Sequence, residues 1–211
     1  MKKAIFLFAS LLVANATLHA QMKAELVTTA GYNVGDKVED FNLKNVDGRM
    51  VSMGMFADMK GYILVFTCNH CPYSVAYEDR INDLNRKYNS KGYMVIAINP
   101  NDPTLVPEDN YDAMKVRAKE KNFSFPYLYD EGQTVMKKFG AQRTPHVFVV
   151  SNNGDKGNRI EYIGAIDDNY EDATAVKHRY VEDAVDALLA GKKPETTFTK
   201  AIGCGVKVKK A

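Results

Sequence analysis

GYILVFTCNHCPYSVAYEDRINDL, residues 61–84, is the stretch whose reading decides the fold. Tyr62 to Thr67 is a short apolar run rich in β-branched and aromatic residues, which predicts a strand covered on both faces. Cys68-Asn69-His70-Cys71 follows at once. Pro72 comes next, where the first turn of a helix tolerates a proline without losing a hydrogen bond. Beyond it Tyr77, Ile81, Leu84 and Tyr88 recur at helical spacing. Two sulfurs are therefore expected where a strand ends and a helix begins.

That place has its own chemistry. The first N–H groups of a helix lack partners, and the aligned peptide dipoles leave partial positive charge there. A thiolate in such a site is stabilised, with a pKa of roughly 3.5–7.5 against about 8.5 for a free cysteine. Cys68, expected to be the more exposed at the turn, is the candidate nucleophile. Cys71, deeper in the first turn, is the candidate resolving partner, placed to attack a mixed disulfide and release its other half. The spacing also allows a reversible Cys68–Cys71 bridge. His70 lies inside the pair with Asn69, and a histidine there can donate to the thiolate and favour the reduced form. Other readings of the pair remain open. It could be a fixed structural disulfide. As a zinc half-site it lacks a second pair, since Cys204 is the only other cysteine. Haem attachment through C-x-x-C-H fails because residue 72 is proline. His146 and His178 carry no assigned role.

The chain has 211 residues, 45% of them hydrophobic, which suits one domain with a sizeable core. Twelve Tyr and ten Phe supply aromatic bulk in the absence of tryptophan. The net charge is +2, from 28 basic and 26 acidic residues, and gives no sign of a nucleic-acid partner. Residues 1–20 read as a secretory leader: Lys2 and Lys3, then the apolar Ala4 to Val13, then Leu18-His19-Ala20 before a cut. That run is shorter than the ~20 residues a membrane span needs, so no stable membrane insertion is expected. Export would put the protein in an oxidising compartment. Three cysteines, two of them in one motif, fit a redox site with one odd thiol rather than a stapled framework.

The divisions expected are a leader at 1–20, an extension at 21–33, one domain at 34–195 and a tail at 196–211. Asp47-Gly48 between two alternating segments signals a hairpin. Phe56 to Met59 reads as a helical turn. Tyr93 to Ile98 is a second buried strand, so strand, helix and strand predict a parallel pair with a right-handed crossover. Asn99 to Asn110 is a loop. Tyr111 to Lys121 reads as a helix, Phe125 to Tyr129 as a short strand, and Glu131 to Phe139 as a helix closed by Gly140. Val147 to Val150 is a strand core, and Arg159 to Ile163 folds back on it. Val176, Tyr180, Ala184 and Leu188 mark a last helix. The segment 196–211 ends in basic residues and carries Cys204.

With CNHCP at a strand–helix junction and Thr144-Pro145 before a later strand, the chain resembles the thioredoxin superfamily. It is most similar to the redoxin branch, the peroxiredoxin-like, AhpC/TSA-like proteins that carry a CxxC pair. The matching stretches are VGDKVEDFNL, VFTCNHCPY, FPYLYDEGQ, KKFGAQRTPHVFVV and AIGCGVKVK. The resemblance implies an α/β thioredoxin fold: a central mixed sheet flanked by helices, with an N-terminal hairpin and a redoxin-type insertion. It also implies a cis Thr144–Pro145 bond beside the CxxC turn, where the backbone of Thr144 would bind an extended partner peptide. Relatives often keep a buried acid behind the cysteines. None appears in YILVFT, and Glu78 and Asp79 are the nearest on the helix.

The function expected is exchange of disulfides with protein partners, among them a redox partner protein, in an exported, periplasmic oxidoreductase. Cys68 and Cys71 would carry the chemistry, Thr144 and Pro145 would bind substrate, and Asn69 and His70 would tune the pair. No cofactor and no metal is expected. A thiol-dependent peroxidase with antioxidant activity is the rival. Its motif wants a hydroxyl three residues before Cys71, where this chain has Cys68. A non-catalytic binding protein on the same scaffold is the third reading.

Overall fold

The computed structural model describes residues 31–209. The leader expected at 1–20 and most of the 21–33 extension lie outside the described residues.

Strand β1 (Lys37–Val38) is followed by β2 (Leu43–Asn45) and β3 (Met50–Val51). The last two form the Asp47-Gly48 hairpin, with Leu43 opposite Val51. Gly48 takes φ +90°, a conformation that favours glycine, and this fixes the turn. The helical turn that follows spans Met53–Phe56, slightly earlier than its expected place. Then come β4 (Gly61–Phe66), α1 (Pro72–Tyr88), β5 (Tyr93–Asn99), α2 (Tyr111–Glu120) and β6 (Tyr127–Tyr129). The chain continues through α3 (Thr134–Phe139), β7 (Arg143–Thr144), β8 (His146–Asn152), β9 (Asn158–Gly164), α4 (Tyr180–Leu189) and β10 (Cys204–Gly205).

Eight strands make one sheet in the order β1-β9-β8-β4-β5-β6-β2-β3. Strand β4 is central. It runs parallel to β5 and antiparallel to β8, and all six of its residues are buried. Successive side chains of a strand point to opposite faces, so one strand feeds two cores. Ile63 and Val65 join Tyr77, Ile81, Leu84 and Tyr88 of α1 and Val181, Ala184 and Val185 of α4. Tyr62, Leu64 and Phe66 join Val135, Met136 and Phe139 of α3, with Val51 and Met53 from the hairpin region. Each fully buried aliphatic or aromatic side chain contributes roughly 1.5–3 kcal/mol, so the layered core holds the end of β4 in place. This mixed sheet with helices on both faces is the thioredoxin fold.

Two helices start later than their patterns predict. Helix α3 begins at Thr134 because Asp130 accepts hydrogen bonds from the Thr134, Val135 and Met136 amides (3.0, 3.3 and 2.7 Å) and closes a turn in front of it. Helix α4 begins at Tyr180, since Ala173–Ala175 turns as a separate 3₁₀ segment behind the Asp172 cap. No helix among the described residues is long and apolar enough to cross a membrane.

Candidate functional site

Buried β4 delivers Cys68 two residues past its end, and Cys71 is the residue that caps α1, with Pro72 in the first turn. The two sulfurs share a neighbour. Cys68 Sγ lies 3.3 Å from the Thr144 hydroxyl, and Cys71 Sγ lies 3.1 Å from the Thr144 carbonyl oxygen. The Thr144–Pro145 bond is cis. The antiparallel pairing of β4 with β8, which sets Phe66 opposite His146, brings this segment to the cysteines.

Cys68 is not the exposed cysteine that its place at the turn suggests. Only 3% of it is accessible, and Cys71 is fully covered. Its thiol is pushed up, not down. Burial is the largest cause and the Asp109 carboxylate the second, against the lowering effect of hydrogen bonds from the Thr144 hydroxyl, the Cys71 amide and the Ser74 hydroxyl. The helix terminus acts as expected through the Cys71 amide, but desolvation and a neighbouring negative charge outweigh it.

Asp109 is the buried acid that the residues around the motif did not reveal. It comes from a short 3₁₀ turn, Pro107–Asp109, forty residues along the chain. One carboxylate oxygen accepts from the amides of Asn69 (2.8 Å) and His70 (3.3 Å). The other accepts from Asn101 Nδ2 (2.7 Å) and sits 2.5 Å from His70 Nδ1. Cys68 Sγ is 3.6 Å from that same ring nitrogen. The same His70 nitrogen therefore faces both acid and thiol, with one proton to share between them and the carboxylate much the nearer. Asn69 bolts the turn to its surroundings, donating to the Glu108 carbonyl and accepting from the Tyr127 hydroxyl (2.8 and 2.9 Å). Of the helix acids, Glu78 is buried in a two-pronged contact with Arg117 (2.6 and 2.8 Å), and Asp79 faces solvent. His146 packs against Phe148 with ring centres 4.7 Å apart and the planes tilted, and burial lowers its pKa to about 4.

Among the described residues, Cys68, His70 and Asp109 present one ligand atom each within 4.8 Å of one another, so these three could together hold a metal ion. Both Asp109 oxygens already accept hydrogen bonds from Asn69, His70 and Asn101, and that use accounts for its position without an ion.

The bridge in the structure corrects the expected pairing. It joins Cys71 to Cys204, with Cα atoms 6.0 Å apart, and leaves Cys68 a free thiol. The physical reason is β10. It pairs antiparallel with β7, Cys204 opposite Thr144 and Gly205 opposite Arg143. The Thr144 edge, expected to be open to a visiting peptide, is thus occupied by the chain's own strand. Spacing within CNHC could not reveal this, since the partner comes from 133 residues away.

Residues 34–155 match the model of the AhpC/TSA family. The thiol-disulfide oxidoreductase ResA of Halalkalibacterium halodurans is 24% identical over 121 residues, which are 57% of this chain and 64% of that protein. The chain thus spans less than two thirds of that relative's length. The crystal structure of a hypothetical protein from Sinorhizobium meliloti 1021 superposes with a TM-score of 0.78 at 30% identity, covering 86% of this chain and 97% of that one. An uncharacterized conserved protein from Geobacillus kaustophilus gives a TM-score of 0.76 at 33% identity, over 85% of this chain and 94% of the other.

Proposed function

The chain belongs to the AhpC/TSA family, and from that we propose that it is an exported, periplasmic thiol-disulfide oxidoreductase acting on protein thiols and disulfides through Cys68 and Cys71. One observation carries the reading: a free cysteine sulfur at the mouth of α1, 3.3 Å from the hydroxyl of the residue that precedes a cis proline. The name of the ResA relative supports the reaction class.

The chemistry follows from these groups. The Cys68 thiolate attacks one sulfur of a partner disulfide. A mixed disulfide forms, and the partner's other sulfur leaves as a thiolate. With Cys71 in its thiol form, its thiolate then attacks Cys68, frees the partner's second sulfur and leaves a Cys68–Cys71 bridge. The partner gains two electrons and the pair loses two. Thr144 and Cys71 supply hydrogen bonds to the attacking sulfur, while Asn69 and His70 hold the turn against Asp109. Because burial and Asp109 keep Cys68 protonated more than a free cysteine, exchange should accelerate with rising pH.

The Cys68→Ser chain should lose insulin reduction with dithiothreitol down to the uncatalysed rate. A variant that retained wild-type turbidity kinetics would sink the reading. Peroxide consumption that survives Cys68→Ser and vanishes in Cys71→Ser would shift the reaction to a peroxidase. For export, N-terminal sequencing of the protein from cells should begin at Gln21. A mature protein that kept Lys2 and Lys3 would refute a cleaved leader.

A further inference from the structure

We propose that Cys204 is a third redox-active residue of this site, and that the bridge passes between Cys71–Cys204 and Cys68–Cys71 within the folded chain. This rests on the reading of Cys68 as nucleophile and adds a partner to it.

The segment carrying Cys204 is built into the site. Val206 donates to the Gln142 carbonyl at 3.0 Å, continuing the line of β10. The Lys207 amide donates to Asn101 Oδ1 at 2.8 Å, and its carbonyl accepts from the Asp102 amide (2.9 Å) and from Gln133 Nε2 (2.8 Å). Lys209 donates to Gln133 Oε1 at 3.0 Å. Asn101 and Gln133 are buried polar side chains, and both contact this segment. Asn101 also donates to Asp109, so one side chain ties the segment to the acid beside Cys68. Gly203 permits the approach. A Cβ there would lie 2.3 Å from the Thr144 carbonyl oxygen and 2.7 Å from its carbonyl carbon, closer than side-chain carbons come to backbone. Glycine at 203 thus lets the strand reach the residue that both other sulfurs touch.

The exchange balances by itself. The Cys68 thiolate attacks Cys71 Sγ, the Cys68–Cys71 bond forms, and the Cys71–Cys204 bond breaks. The electron pair leaves on Cys204, and the proton lost by Cys68 is made good on Cys204. No oxidant or reductant is consumed. The two isomers offer a partner opposite chemistry at the same sulfur. With the bridge at Cys71–Cys204, a partner disulfide meets Cys68 as a thiol. With the bridge at Cys68–Cys71, a partner thiol meets Cys68 as half of a disulfide.

The test is disulfide mapping of the full mature chain, oxidised with glutathione disulfide, acid-quenched at intervals, alkylated and digested. Mass spectrometry should find both the 71–204 and the 68–71 linked peptides, the second rising as pH increases. Gly203→Val leaves all three sulfurs in place and should cut the 71–204 product at least tenfold in favour of 68–71. Cys204 alkylated quantitatively in every oxidised sample would overturn the proposal, as would a Gly203→Val chain with an unchanged ratio. Cys68→Ser separates the two claims. If that variant still exchanges disulfides, the reading of Cys68 has failed. If it is inactive while Cys204 never enters a bridge, only the relay has failed.

Discussion

Replacing Asp109 with asparagine changes one atom's chemistry at the centre of the site, and the structure sets the size of the effect. The carboxylate accepts from two backbone amides on one oxygen and from Asn101 Nδ2 and His70 Nδ1 on the other. An asparagine amide can keep one of these sets but not both, because its nitrogen then faces donors. If it keeps the amides of Asn69 and His70, the buried Asn101 amide loses its acceptor, at about 1–3 kcal/mol. His70 is 24% exposed at its side chain and can turn to water, which limits its share. If the amide flips, the two backbone donors are stranded instead, with a similar cost. A neutral amide is less costly to bury than a carboxylate, which offsets part of the loss. The net is about 2 kcal/mol, or roughly 4–8 °C in melting temperature for a chain of this size. Urea unfolding followed by far-UV circular dichroism, on both proteins in the same disulfide state, reads it directly. The slope with denaturant should stay constant while the midpoint falls. A variant within about 0.5 kcal/mol of wild type would refute the claim that Asp109 organises the turn. A second readout concerns charge. Burial raises the Cys68 thiol first and Asp109 second, so removing the charge should move the alkylation rate profile of Cys68 to lower pH. A profile that stays put or moves up would refute the electrostatic part.

Acid should weaken the fold through His146. Burial lowers its pKa from 6.5 to about 4, so between these values the unfolded chain binds more protons than the native one. Stability from this group is therefore intact above pH ~6.5 and is lost as pH falls toward 4, by up to about 3 kcal/mol; water at the outer edge of the ring trims that figure. His146→Phe should flatten this slope in urea titrations at pH 4 to 7, and an unchanged slope would assign the acid sensitivity elsewhere. Gly164 has φ +153°, and a Cβ there would meet the Thr199 hydroxyl at 2.1 Å and its carbonyl oxygen at 2.6 Å. Gly164→Ala should destabilise by about 1–3 kcal/mol and loosen the segment that leads to Cys204. Hydrogen exchange of the Thr199 amide, now bonded to the Ile163 carbonyl at 3.0 Å, should speed up, and unaltered protection would count against it.

The parts of this fold legible in the sequence are those whose signal is local. YILVFT could only be a buried strand or a piece of buried helix, and the cysteines and Pro72 that follow settle the choice. Tyr77, Ile81, Leu84 and Tyr88 then name the face of α1 that meets the sheet. Thr144-Pro145 was legible through resemblance. Asp109 was not, because residues 99–110 have no period and its role depends on how a loop folds over the CxxC turn. The state of Cys68 is hidden in the sequence for a related reason. A helix dipole can be inferred from sequence, whereas burial and a carboxylate from forty residues away belong to tertiary structure. Cys204 lay in plain view as an odd cysteine. Its pairing depends on the register of a two-residue strand, which no window around it encodes. Gly203, directly before Cys204, is the one nearby signal, since it marks a close backbone approach.

The cross-link from position 71 to position 204 ties together 133 residues' worth of polymer. In the chain-entropy account a ring of that size restricts the denatured ensemble by about 5 kcal/mol, whereas a ring closed inside CNHC restricts it by only about 2. The location of one covalent bond in the site is thus coupled to the heat resistance of the entire molecule. A calorimeter, with no substrate present, can report which sulfur Cys71 is holding.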